Sequence, residues 1–182
     1  MKKRFLFASL IAICFAMIAG QSLAYFTREA TAHNVVTTGG IAIELNEWAN
    51  DDRTEKFSDK EGVMPGDTVT KIVEVTNTGA NDAWVRMSAE KSIPSVTDAD
   101  LSLVELDINK EYWTDGGDGY YYYNKALASG ETTEPLFTNV SVSLDMGNEY
   151  QNAEAAVDVT AQAVQTANNG DSALTAKGWP KA

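Results

Sequence analysis

The residues able to do chemistry are few, and their spacing excludes most of it. His33 is the single histidine and Cys14 the single cysteine of the chain. A zinc helix of the His-Glu-x-x-His type needs two imidazoles, and no set of partners marks His33 as the base of a nucleophilic relay, so it reads as a polar residue on an early strand. Carboxylates are abundant. Asp115-Gly-Gly-Asp-Gly and Asn50-Asp51-Asp52 could present hard oxygens to calcium, yet neither has the twelve-residue spacing of an EF-hand loop, and ordinary turns account for both. No catalytic, cofactor-binding or metal-ligating residue is therefore expected, and structural calcium is the one ion the pattern suggests. Four consecutive tyrosines, Tyr120 to Tyr123, are the remaining chemical feature. On a strand they alternate between faces, one pair packing inward and the other offering rings to a sugar or a partner. Tyr121 and Tyr123 are the candidates for such surface contacts.

What positions these groups begins with a leader. Lys2, Lys3 and Arg4 precede an apolar run without charge from Phe5 to Gly20, followed by Ser22 and Ala24 at the small-residue positions a signal peptidase requires. The expected cut falls after Ala24 and leaves Tyr25 first. The run is also long enough to span a bilayer if retained, so an uncleaved anchor is the alternative. Cys14 follows Ile13 inside the apolar run, which forms no lipidation site. Cleavage shortens 182 residues to 158 and moves the formal charge from −12 to −15. That length suits one core. That charge repels nucleic acid and anionic lipid, so no nucleic-acid partner is expected, and the membrane enters only through the leader before cleavage. Without cysteine the exported part has no disulfide, so its stability must come from packing, backbone pairing or association.

The exported part reads as strands. Residues 25–38 mix aromatic, Thr, Ala and Val side chains without Gly or Pro, and Gly39-Gly40 ends them. Ile41, Ile43 and Leu45 alternate with Ala42, Glu44 and Asn46. Residues 46–62 form a polar excursion with Trp48 and Phe57 as isolated apolar points. Met64-Pro65-Gly66-Asp67 is a turn, residues 68–76 a strand, and the broken alternation at Lys71-Ile72 predicts a bulge or a strand covered on both faces. After the turn at residues 77–82, Ala83, Val85, Met87 and Ala89 alternate with Trp84, Arg86 and Ser88. Val104, Leu106 and Ile108, then Val140, Val142 and Leu144, then Val157, Val159, Ala161 and Ala163 repeat the pattern. Residues 167–182 lose it; they suggest a helical turn at 172–177 with Trp179 packing back, or a frayed end. The expected fold is all-β: a single antiparallel β-sandwich of jelly-roll type preceded by an N-terminal signal helix. Its divisions are a signal peptide at 1–24, an extended segment at 25–38, a sandwich at 39–168 and a tail at 169–182.

Three blocks carry a resemblance. The junction Leu-Ala-Tyr-Phe-Thr-Arg-Glu-Ala-Thr-Ala-His-Asn at 23–34, the run from Pro65-Gly-Asp through Asn77-Thr-Gly to Ala83-Trp-Val-Arg-Met, and the third set Asp118-Gly-Tyr-Tyr-Tyr-Tyr-Asn, Pro135-Leu-Phe-Thr, Gly147-Asn-Glu-Tyr-Gln and Ala163-Val-Gln-Thr-Ala-Asn together resemble the TasA and camelysin family of Gram-positive bacteria. The resemblance implies a signal peptide removed by a dedicated eukaryote-like signal peptidase, and a secreted subunit of biofilm-matrix or cell-surface fibres. It also implies self-association by strand donation, in which Tyr25, Phe26, Ala30, Ala32, Val35 and Val36 would enter a neighbouring sheet. The family's association with metallopeptidase activity supplies one rival reading. A monomeric adhesin or glycan-binding module using Tyr121 and Tyr123 supplies another.

Overall fold

The computed structural model describes residues 34–37 and 40–180, and these contain nine strands in two sheets. In chain order the strands are β1 (Asn34–Thr37), β2 (Ile43–Trp48), β3 (Thr68–Asn77), β4 (Ala83–Ser92), β5 (Val104–Leu106), β6 (Trp113–Asp115), β7 (Tyr121–Tyr123), β8 (Phe137–Val142) and β9 (Ala156–Gln165). One sheet has the order β1-β9-β4-β7-β6 and the other β2-β3-β8-β5. The chain changes sheet between β1 and β2, β3 and β4, β4 and β5, β5 and β6, β7 and β8, and β8 and β9. Such repeated crossing is the interleaving of a jelly roll. Every pairing is antiparallel except β1 with β9, which is parallel, with Asn34 opposite Thr160 and Thr37 opposite Ala163.

The core lies where alternation puts it. Ile41, Ile43 and Leu45, Val73 and Val75, Val85 and Met87, Leu136 and Phe137, and Ala161 and Ala163 fill the layer between the sheets with Trp113, Tyr123 and Leu127. Burying a side chain of Phe137's size contributes roughly 2–3 kcal/mol. The register of β3 against β8 shifts between Thr70 and Val73. Around that bulge, residues 71–75 are all buried, so β3 is both kinked and covered on its two faces. Inside the inter-sheet layer Lys71 pairs with Glu47 at 3.0 Å and donates to the Val157 carbonyl of the opposite sheet. Outside it, Glu74 accepts from Arg53 and from the indole of Trp48. The polar excursion after β2 is thereby folded back: Phe57 N–H donates to the Glu47 carbonyl, and the Lys71 ammonium lies 4.6 Å from the Phe57 ring centre.

Asn77 is wholly buried at the end of β3 although it reads in the sequence as a turn residue. Its amide donates to the carbonyls of Asn81 and Leu127 and its oxygen accepts from Gly79 N–H, which ties two loops together. Gly79 sits against the backbone of Ala42, where a Cβ would come within 2.8 Å of the Ala42 nitrogen.

Candidate assembly edge and the covered sheet face

Of the residues expected to process or donate the leading strand, Ser22, Ala24, Tyr25, Phe26, Ala30 and Ala32 lie outside the described residues, as does His33. Val35 and Val36 are described as backbone. They lie in β1, opposite Ala161 and Gln162 of β9. β1 is four residues long and β9 ten, so the described pairing covers Thr160 to Ala163 on that side of β9. On the other side β9 is paired with β4 along its whole length, from Ala156–Ser92 to Gln165–Ala83.

The outer face of β9, β4 and β7 carries the densest polar constellation among the described residues. Alternation turns Trp84, Arg86, Tyr122, Gln162 and Val164 away from the inter-sheet core, and they are nevertheless buried. The Arg86 guanidinium donates through Nε and Nη2 to Gln162 Oε1 at 2.9 and 2.7 Å, and through Nη1 to Tyr122 Oη at 2.9 Å. Tyr122 in turn donates to Asp118 Oδ2 at 2.7 Å, which also lies 3.7 Å from Arg86 Nη1. The rings of Tyr120 and Trp179 lie over the guanidinium, their centres 3.8 and 4.7 Å from its carbon. A planar delocalised cation suits stacking as well as its fork of hydrogen bonds. The hydrogen bond from Tyr122 holds the Asp118 carboxyl below the usual carboxylate range, and burial pushes the Tyr122 phenol up.

The cover comes from the C-terminal residues. Ser172 C=O accepts from Thr175 and Ala176 N–H in one helical turn, Ala173 and Ala176 are buried, and Trp179 meets Tyr122 edge-on at 5.8 Å. The expected helical turn and returning Trp179 are thus both present, and they close a second apolar cluster with Trp84, Tyr122 and Val164.

The tyrosine assignment is corrected. Alternation is as expected, but the inward pair is Tyr121 and Tyr123. Tyr123 is 3 % exposed, packed against Trp113 with ring centres 5.0 Å apart, and Tyr121 is half-buried against the same core. Neither is a free stacking surface. The physical reason is register: Trp113 opposes Tyr123 in the β6–β7 hairpin, so the two rings share the face that the second sheet covers.

The candidate calcium oxygens are engaged in turns. Asp115 accepts from Gly117 N–H, and Asp118 from Tyr120 N–H and Tyr122 Oη. Asn50 accepts from the N–H groups of Thr54 and Glu55. Among the described residues no group of three or more His, Cys, Asp or Glu converges to hold a metal. A cleft lined by Tyr123, Lys125, Glu131, Thr132 and Glu134 is a further polar feature. There Tyr123 donates to Glu134 at 2.5 Å; that bond keeps the Glu134 carboxyl low, and burial pushes the Tyr123 phenol up. An ionised carboxylate facing a firmly neutral phenol is the reverse of an acid and base poised near neutrality.

Compared with known proteins, residues 2–110 match the family model described as Camelysin metallo-endopeptidase. No curated protein and no solved structure matches the chain.

Proposed function

The chain belongs to the camelysin metallo-endopeptidase family, and from that premise we infer that it is a secreted structural subunit of extracellular biofilm-matrix or cell-surface fibres, assembled by N-terminal strand donation. One observation carries the reading. β1, which continues directly from the leading segment, is a four-residue edge strand held by parallel pairing to a β9 of ten residues. Parallel pairing is slightly weaker per residue than antiparallel, and a short edge strand is the least costly part of a sheet to exchange. Leaving its own β9, the leading segment could pair with the β9 edge of a second copy, replacing one set of backbone hydrogen bonds by an equivalent set. Donor and acceptor surfaces differ, so the contact is heterologous and propagates into a fibre instead of closing as a dimer. Removal of the leader at Ala24 would free the donor end, and the acidic surface keeps unassembled copies soluble.

Deleting residues 25–34 from the mature protein is expected to abolish fibres seen by electron microscopy while leaving a folded monomer; undiminished polymerisation would overturn the donor role. The uncleaved precursor is expected to stay unassembled.

The family's description implies a metal ion. The described residues do not fit one, since the only imidazole of the chain, His33, lies outside them and no group of three or more His, Cys, Asp or Glu converges among them. The peptidase alternative is checked by casein hydrolysis with pure protein. Activity lost on chelation and in His33→Ala would establish it in place of the structural role.

A further inference from the structure

Residues 169–179 form a strap across the outer sheet face, and a single residue ties it down at both ends. The Asn169 side chain donates through Nδ2 to the carbonyls of Gln165 and Lys177, both at 3.0 Å, while its Oδ1 accepts from Lys177 N–H at 2.8 Å. Its carbonyl accepts from the Trp84 indole at 2.9 Å and its N–H donates to the Thr166 carbonyl. One carboxamide thus imitates a stretch of strand, joining the end of β9 to the last residues of the strap. Among the described residues no other side chain does this.

The residue after it is Gly170, and Asn169-Gly170 is the only Asn-Gly pair in the chain. Without a side chain at the second position, a backbone nitrogen meets little steric resistance in approaching the preceding carboxamide. We propose that Asn169-Gly170 is a self-modification site that unlatches the strap irreversibly. The Gly170 nitrogen attacks Asn169 Cγ and loses its proton to solvent, and the Cγ–Nδ2 bond breaks to release ammonia, leaving a cyclic imide. Water then opens the imide at either carbonyl, giving aspartate or its β-linked isomer. The net change is carboxamide plus water to carboxylate plus ammonium, the ammonia taking up the proton that the new acid releases, with no oxidant or reductant.

The fold gives this chemistry its control. With the strap closed, three hydrogen bonds fix the carboxamide against Lys177 and Gln165, and it must leave them to turn on the Gly170 nitrogen, so the reaction runs from the opened strap at a rate that follows the open population. Once formed, the carboxylate has no donor to offer the Gln165 and Lys177 carbonyls, and oxygens would face oxygens where two hydrogen bonds stood. Asp171, two residues on in the chain, is a second acidic residue there. The strap cannot re-close as before, and the face of Trp84, Arg86, Tyr120 and Tyr122 is uncovered. The inter-sheet core is a separate cluster and keeps its packing.

The test is peptide mass mapping of the mature protein held in mildly alkaline buffer, beside Trp179→Ala and Asn169→Asp. Conversion is expected at Asn169 ahead of every other asparagine, and about fivefold faster in Trp179→Ala, where the strap opens more often. Asn169→Asp needs no incubation: hydrogen exchange should show the Lys177 amide and Trp84 indole losing protection while β4 amides keep theirs. Asn169→Asp with full protection at Lys177, or an Asn169 that converts no faster than the other asparagines in both chains, would overturn the proposal. Should Trp179→Ala fail to fold, the Asn169→Asp exchange pattern and the wild-type map decide the matter alone.

Discussion

Strands β4, β7 and β9 are buried on both faces over residues 83–88, 122–123 and 161–164, and the two faces are sealed by different physics. Inward, Val85, Met87, Tyr123, Ala161 and Ala163 meet the opposite sheet through apolar contact. That attraction is proportional to area and indifferent to direction. Outward, Arg86, Tyr122 and Gln162 hold one another through hydrogen bonds that exist only at particular distances, and eleven residues of strap close over them through a small apolar cluster and the bond from the Trp84 indole to the Asn169 carbonyl. Among the described residues no buried side-chain nitrogen or oxygen is left without a partner, so the outer face is satisfied as completely as the inner. It is nonetheless the face that can open alone. Breaking directional bonds at one terminus exposes little area, whereas parting the sheets exposes the whole core.

Phe137→Ala should be the costliest test of this contrast, removing a fully buried ring between the sheets for about 4 kcal/mol in urea unfolding. Both faces should then melt in one transition; a strap that survives it would break the comparison. Arg86→Met should cost about 2 kcal/mol by the same measurement, because charge-assisted bonds are lost and Gln162 Oε1 is left buried without its donors. Trp179→Ala should cost about 1 kcal/mol, chiefly an aromatic contact, and show as local exchange at the strap with the main transition little moved.

The smallest effect is the acid response of Asp118. Its folded pKa lies below the ordinary 3.8, chiefly through the hydrogen bond from Tyr122. A depressed carboxylate contributes stability in full above its unfolded value and loses it as pH falls through the folded one, so the contribution should fade below about pH 4. Tyr122→Phe should return the Asp118 titration toward 3.8 in NMR and flatten that part of the acid limb.

Much of this was legible in the chain because the period of two is local. The inward set of β4, the broken alternation at Lys71-Ile72 and the returning Trp179 all followed from neighbours a few residues apart. Asn77 and Asn169 were not legible. An asparagine in a turn looks the same whether its amide meets water or ties two distant segments, and only the partners tell. The tyrosine faces were misassigned for a related reason. Four identical side chains alternate without saying which pair is inside, and the answer came from Trp113 opposite Tyr123.

From its residues alone the chain specified an all-β fold, the absence of any intrachain disulfide and the parity of its main strands, since these depend on composition and adjacent spacing. The folded molecule decided the parallel docking of β1 on β9, the two-sided burial of β4, and the closure of its outer face by residues more than eighty positions downstream. Those are contacts between segments remote in sequence, whose free energy exists only once the topology has brought them together.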